Sequence, residues 1–158
     1  MEQMYAYEWL YAYTGDKKWA ERLEVLAFNA LPATISDDMW VHQYDQMSNQ
    51  IACQKFPGRS QFRTNGSDAH LFGLEPNYGC CTANMHQGWP KLVLHAIQQT
   101  DEGLCVAHLL PVYAQTKVNG KPVAIRVETE YPFRMQARIT MDCPEGAVFT
   151  LKLRVPTW

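Results

Sequence analysis

The first half of the chain carries apolar residues at helical spacing. They form two series, Met4, Tyr7, Tyr11 and then Trp19, Leu23, Leu26, Ala30. Steps of three and four residues place side chains on one face of a helix. Between the series, Gly15 suits the left-handed residue that ends a helix and Asp16 suits the N-cap of the next one. We therefore predict an antiparallel helical hairpin, with Pro32 helping to end its second helix.

A third helix is predicted over Thr82 to Gln99. Its apolar face would consist of Met85, Trp89, Leu92, Val93 and Ala96. Because Pro90 lacks an N–H donor, we expect a kink there or a late helix start. Upstream, residues 39–44 have some strand character, and the Gly- and Pro-rich stretch Pro57 to Gly79 predicts a long functional loop.

After Thr100 the apolar residues recur at every second position. They are Val123, Ile125, Val127 and then Phe149, Leu151, Leu153, Val155. Asn119-Gly120 between alternating runs is typical of a type I′ hairpin turn. The second half therefore predicts antiparallel β-structure, one sheet of a sandwich.

Composition narrows the function classes. The chain has 158 residues, enough for one domain of ordinary size, and a formal charge of −2, which argues against a nucleic-acid partner. The longest mostly apolar stretch, Leu104 to Ala114, is too short to cross a bilayer, so we expect no membrane partner. Glu21 and Glu24 are expected on a solvated helix face beside Lys17 and Lys18.

Five cysteines at irregular spacing contain no Cys-x-x-Cys zinc pattern and make a poor disulfide framework. Reduced or protected thiols are expected. The start Met1-Glu2-Gln3 is acidic, unlike a signal peptide. The compartment stays open between the cytoplasm and the periplasm or exterior of a bacterium.

The pair Cys80-Cys81 is the strongest candidate for chemistry. It comes immediately before the predicted third helix, where the helix dipole would lower the pKa of a thiol. A thiolate is both a nucleophile and a metal ligand, although a tetrahedral zinc site needs further ligands. The alternative interpretation is two buried small hydrophobes.

The segment around this pair, Glu75 to Lys91 (EPNYGCCTANMHQGWPK), resembles the Cys-Cys segment of the β-L-arabinofuranosidases of glycoside hydrolase family 127. The stretches 14–20, 27–33, 38–44 and 149–158 are similar to that family as well. The resemblance implies the C-terminal helices of an (α/α)6 barrel in residues 1–99. It also implies the start of an antiparallel β-sandwich domain in residues 100–158, so the fold class is α+β by segment.

The same resemblance implies a retaining hydrolase with a zinc cofactor. Cys80 would be the nucleophile, Cys80 and Cys81 would both bind zinc, and the substrate would be an arabinofuranoside or related plant-derived sugar. A thiolate nucleophile departs from the usual pair of carboxylates. His42 and Tyr44 alternate on the predicted strand and are candidate sugar contacts. The competing interpretation of this pair is a packed aromatic ring with a solvated histidine.

The zinc site is expected to be incomplete in this chain. In that family, a Glu-x-Cys pair completes the zinc site, and another glutamate further upstream acts as the catalytic acid/base. The best register puts that pair just before residue 1, in the remainder of a longer parent chain. A second register places Glu2 and Met4 there, and a thioether is a poor zinc ligand. Cys53 is a weaker candidate for a third ligand. We therefore expect a fragment that is inactive alone; the alternative is a non-catalytic carbohydrate-binding or structural module.

Overall fold

In the computed structural model, the described residues are 1–50, 52–54, 67–73 and 79–158. The helices are α1 (Glu2–Thr14), α2 (Lys17–Val25), α3 (Leu31–Ala33), α4 (Gly79–Asn84) and α5 (Gly88–Leu94). The strands are β1 (Ile97–Thr100), β2 (Gly103–Val106), β3 (Val112–Val118), β4 (Lys121–Thr129), β5 (Ala137–Asp142) and β6 (Thr150–Leu153). Helices precede strands along the chain, which confirms the α+β class. Most of the predicted loop Pro57 to Gly79 lies outside the described residues.

The helical hairpin forms as predicted. Gly15 adopts a left-handed φ of 64°, and its N–H donates to the Tyr11 carbonyl at 2.8 Å. The Asp16 carboxylate accepts a hydrogen bond from the Lys18 N–H at 3.1 Å, which caps α2. Local residue chemistry alone therefore explains this turn.

The helical path continues through Pro32 instead of ending before it. Residues Leu26–Ala30 form one π-helical turn between α2 and α3, and the Leu31 N–H donates to the Leu26 carbonyl. That wider turn releases the Ala27 carbonyl from its usual partner, and the Trp89 indole N–H donates to it at 3.0 Å. The inserted residue thus lets the chain pass a proline and joins this turn to α5.

The third helix is shorter than predicted. A 3₁₀ turn, Met85–Gln87, separates α4 from α5, and Pro90 lies in the first turn of α5, where a missing N–H removes no hydrogen bond. This confirms the expected interruption. The prediction of helix to Gln99 is wrong, because Ile97–Thr100 pair with β2. Val93 is also exposed, whereas Leu92 and Ala96 are buried.

The β-hairpin at Asn119-Gly120 is confirmed. Both residues have positive φ, 51° and 77°, as a type I′ turn requires. The strands on either side, β3 and β4, pair antiparallel, and β5 completes a three-stranded sheet. The alternating residues Val123, Ile125 and Val127 are buried.

The last strand departs from the prediction in two ways. It pairs parallel with β2, so the sheet β1-β2-β6 is mixed and not purely antiparallel. Leu153 and Val155 are exposed, whereas Arg154 is buried. The inward position passes to Arg154 because a buried carboxylate lies there to receive its guanidinium.

That carboxylate belongs to Glu24, which is 3% exposed, so the prediction of a solvated Glu24 is wrong. Arg154 Nη2 donates to Glu24 Oε1, and Arg154 Nε donates to the Ala107 carbonyl at 2.6 Å. The Tyr131 hydroxyl donates to Glu24 Oε2 at 3.1 Å. These contacts join α2 to the β-strand half of the chain.

Further buried polar groups lie between α1, α5 and β2. Glu8 is fully buried, with Oε2 3.0 Å from His95 Nδ1. His108 is 2% exposed, and neither of its ring nitrogens has a hydrogen-bond partner among the described residues. The Tyr11 hydroxyl lies 3.7 Å from the sulfur of buried Cys105. We refer to Glu8, Glu24, Cys105, His108, Tyr131 and Arg154 as the buried polar seam.

Apolar packing fills the rest of the interior. One cluster joins the helices to the start of β3 and contains Met4, Leu23, Ala27, Leu31, Leu92, Ala96 and Leu110. A second cluster, with Val106, Ile125 and Val127 at its centre, lies between the two sheets. No helix among the described residues is both long and apolar enough to traverse a bilayer.

Candidate functional site

The cysteine pair lies at the second and third positions of α4. Cys80 is exposed and Cys81 is half-buried. Their sulfur atoms are 3.8 Å apart and both thiols are free. The interpretation of two buried hydrophobes is therefore wrong.

The electrostatic setting of Cys81 differs from the sequence prediction. Burial raises the pKa of the Cys81 thiol to about 11, and its contact with Cys80 acts in the same direction. The expectation of a lowered pKa is therefore wrong for Cys81 when only the protein's own groups act on it. A thiolate at this position needs an added positive charge.

Two sulfurs at this separation fit one edge of a zinc tetrahedron. With Zn–S bonds of about 2.3 Å, tetrahedral geometry places two sulfur ligands about 3.8 Å apart. That matches the distance between the Cys80 and Cys81 sulfurs. The pair can therefore supply two of the four ligands that a structural or catalytic zinc ion needs.

The described residues do not complete such a site. They contain no group of three or more His, Cys, Asp or Glu side chains placed to share a metal ion. Cys53, the weaker candidate, accepts hydrogen bonds from the amides of Gln43 and Gln50 at 3.1 Å each. It does not cluster with Cys80 and Cys81 within this part of the chain.

A cavity of about 210 Å³ lies beside the pair and brings three predicted residues together. His42, Tyr44 and Cys81 all contribute to its wall. The start of α1 forms part of the wall through Met1, Gln3 and Met4, and the π-helical turn and α3 add apolar side chains. Glu2 is exposed and does not line the cavity, so only Met4 of the second proposed register lies there. The cavity is mainly apolar, with a polar edge.

His42 is held in place more firmly than its sequence context predicts. Residues 39–44 form no regular strand, but His42 makes isolated β-bridges to Ile35 and Gly73. Its side chain is 4% exposed, and its Nε2 lies 3.1 Å from the Thr82 hydroxyl oxygen. The alternative interpretation, in which His42 is solvated, is therefore wrong. Tyr44 is half-buried at the cavity.

Two residues of this region escaped the sequence reasoning. Thr82 follows the cysteine pair directly, and that adjacency was the available signal. Gln43 is 5% exposed, and its amide nitrogen donates to the His70 carbonyl at 2.8 Å. Nothing in the local sequence distinguishes this glutamine from a surface residue.

Comparisons with known proteins place the fold. Residues 103–158 match the family model described as the GH127 middle domain of β-L-arabinofuranosidase. Across 99% of its length the chain is similar to the crystal structure of a GH127 β-L-arabinofuranosidase from Geobacillus stearothermophilus T6. The TM-score is 0.79 at 21% identity, and the match covers 24% of that structure.

A second structure, described as a glycoside hydrolase, matches 96% of the chain with a TM-score of 0.73 and 23% identity. The chain spans about a quarter of the length of either structure. No curated protein matches the chain. These matches confirm the resemblance to glycoside hydrolase family 127 that the sequence predicted.

Proposed function

We propose that the chain forms part of the active site of a retaining glycoside hydrolase that acts on β-L-arabinofuranosides or a related plant-derived sugar. The observation that carries the proposal is the placement of Cys81, His42 and Tyr44 around one cavity beside the exposed Cys80 thiol. The similar structure from Geobacillus is named as an enzyme of this activity, which supports the choice of substrate class.

The proposed architecture follows the two halves of the chain. Residues 1–99 would be the end of an (α/α)6 catalytic barrel, and residues 100–158 the start of a β-sandwich. The family match over 103–158 supports the second assignment. The helical hairpin of α1 and α2 supports the first, since antiparallel helix pairs of this kind build such barrels.

In the proposed reaction the Cys80 sulfur attacks the anomeric carbon of the sugar. The bond from that carbon to the leaving oxygen breaks, and the oxygen takes a proton from a general acid. Water then attacks the same carbon and gives its proton to the group that acted as general acid, the carbon–sulfur bond breaks, and Cys80 regains its thiolate. Two displacements return the original configuration. The exposure of Cys80 leaves its sulfur accessible to the sugar.

Cys80 and Cys81 would be the residues of this chain that hold the zinc ion. The chemistry it supplies is positive charge that keeps both sulfurs deprotonated at neutral pH. The raised pKa of the Cys81 thiol supports this proposal, because without an added positive charge that thiol stays protonated at neutral pH. The described residues supply two of the ligands, and we propose that the 158-residue chain alone is inactive.

His42 and Tyr44 would line the sugar-binding side. The Tyr44 ring offers an apolar face with a polar tip, which suits a sugar. The methionines at the start of α1 and Met85 supply the apolar floor of the cavity.

The test is the Cys80→Ser variant of the intact, zinc-loaded protein, assayed on a chromogenic β-L-arabinofuranoside. We expect a loss of at least about a hundredfold in kcat, since a hydroxyl cannot replace the thiolate at neutral pH. Cys143→Ser changes an exposed cysteine of the β-strand half and serves as the matched control. A sugar-derived electrophile should add to Cys80, as intact mass and peptide mapping would show.

If Cys80→Ser keeps the wild-type rate, the nucleophile assignment is wrong. A second candidate function is carbohydrate binding without turnover, which is favoured by the raised pKa of the Cys81 thiol and by a set of two sulfur ligands within the described residues. Sugar binding in calorimetry, with no hydrolysis and no bound metal in the intact protein, would support that alternative.

A further inference from the structure

We propose that Thr82 and His42 form a positioning pair that holds the cysteine-bearing helix α4 against the cavity. The proposal rests on the proposed function and adds a role to two residues of its site. It assigns Thr82 a part in the reaction, and it gives His42 a supporting role beyond contact with the sugar.

His42 is a fixed anchor. Its N–H donates to the Gly73 carbonyl at 3.2 Å, and its carbonyl accepts from the Gly73 N–H at 3.1 Å. The neighbouring Gln43 N–H donates to the Thr34 carbonyl at 2.8 Å. Backbone hydrogen bonds therefore tie this segment on both sides, and the buried ring has little freedom to turn.

Thr82 connects His42 to the cysteines. Its hydroxyl oxygen lies 3.1 Å from His42 Nε2, across 40 positions of sequence, and its peptide group is bonded directly to Cys81. Either atom can be the donor, depending on the histidine tautomer. The contact fixes the rotation of α4 about its axis, which decides whether the Cys81 sulfur points into the cavity.

Within the described part of the chain, α4 is short and packs only shallowly against its surroundings. It has six residues, and none of them is fully buried. The Asn84 side-chain amide donates to the Cys80 carbonyl at 2.6 Å, but this bond lies within the helix and does not attach it to the wall. A short exposed helix whose sulfurs must meet a precise geometry depends on such an external contact.

The first experiment compares Thr82→Val with Thr82→Ser in the intact protein. Valine keeps the shape of the side chain and removes the hydroxyl, whereas serine keeps the hydroxyl. We expect Thr82→Val to lower zinc affinity and kcat by about tenfold, as removal of a ligand-supporting hydrogen bond does, with KM almost unchanged. Thr82→Ser should restore both. Thr140→Val, at an exposed position of β5, is the matched control and should change neither.

The second readout needs neither sugar nor metal. In chelator-treated protein, iodoacetamide should modify exposed Cys80 before half-buried Cys81, as peptide mapping would show. Thr82→Val should release α4 and reduce that preference several-fold, and Thr82→Ser should keep it. Thermal unfolding of each variant separates a local change from a failure to fold.

Three outcomes would overturn the proposal. They are unchanged zinc affinity and thiol selectivity in Thr82→Val, a raised KM with normal kcat, and failure of Thr82→Ser to restore either property. The second would mean that Thr82 contacts the sugar. If instead Cys80→Ser retains full activity while thiol selectivity still responds to Thr82→Val, the proposed function fails and the positioning pair stands.

Discussion

The cavity beside the cysteines and the buried polar seam place reactive groups in opposite settings. At the cavity, Cys80 is exposed and α4 has no fully buried residue. In the seam, Glu8, Glu24 and Arg154 are each at most 7% exposed. Burial makes a polar group costly to leave unpaired, so residues of the seam should govern stability. The residues of α4 are free of that constraint and can serve binding and chemistry.

The substitution with the largest expected effect on stability is Arg154→Met, in the buried polar seam. It leaves the buried Glu24 carboxylate with a hydrogen bond from the Tyr131 hydroxyl but without its cationic partner, and it removes the bond to the Ala107 carbonyl. Loss of one member of a buried ion pair costs about 3–5 kcal/mol, and we expect a decrease of that size in the free energy of unfolding. Urea denaturation followed by fluorescence measures it.

The matched control lies two positions earlier, in β6. Lys152 pairs with Glu102 at 2.8 Å, and both side chains are at least half exposed. Lys152→Met should therefore change stability little. Equal effects of the two substitutions would mean that burial of the Glu24–Arg154 pair does not determine its contribution.

The second prediction concerns Glu8. Burial raises its pKa from 4.5 to about 7, with the charge of Lys91 acting in the opposite direction. Below pH 4.5 the carboxyl is neutral in both the folded and unfolded chain. As the pH rises towards 7, the unfolded chain releases this proton more readily, so the folded state loses stability. A shift of this size corresponds to about 3 kcal/mol at most.

Glu8→Gln removes the titration and nearly keeps the shape of the side chain. The difference in unfolding free energy between variant and wild type should therefore grow in favour of the variant from pH 4.5 to pH 8. Urea unfolding at several pH values measures this difference. A constant difference across that range would contradict the raised pKa of Glu8.

Local chemistry made part of this fold predictable. The Gly15-Asp16 turn and the Asn119-Gly120 turn each depend on a few neighbouring residues and their backbone preferences. The β1 strand was missed because Ile97–Thr100 become a strand only by pairing with β2. The spacing of apolar residues alone does not distinguish the end of a helix from a short edge strand.

The buried polar seam shows why the remaining features of the fold could not be predicted from the sequence. Glu24 lies on a helix beside lysines and looks solvated, and its partner Arg154 is 130 residues away. At the candidate site, the motif identified the cysteines, but the Thr82–His42 contact joins segments 40 residues apart. Contacts of this kind depend on tertiary structure, which local patterns do not encode.

The smallest effect predicted here compares two cysteines, one from each region. Cys80→Ser changes an exposed side chain and should leave the free energy of unfolding within about 0.5 kcal/mol of wild type in metal-free protein. Cys105→Ser places a more polar hydroxyl at a site that is 8% exposed, beside the Tyr11 hydroxyl. We expect it to cost about 1 kcal/mol or more, because burying a hydroxyl with imperfect partners carries a desolvation penalty. Urea denaturation of both variants under one condition gives the comparison, and a Cys80→Ser loss as large as that of Cys105→Ser would show that the cysteine helix contributes to the core.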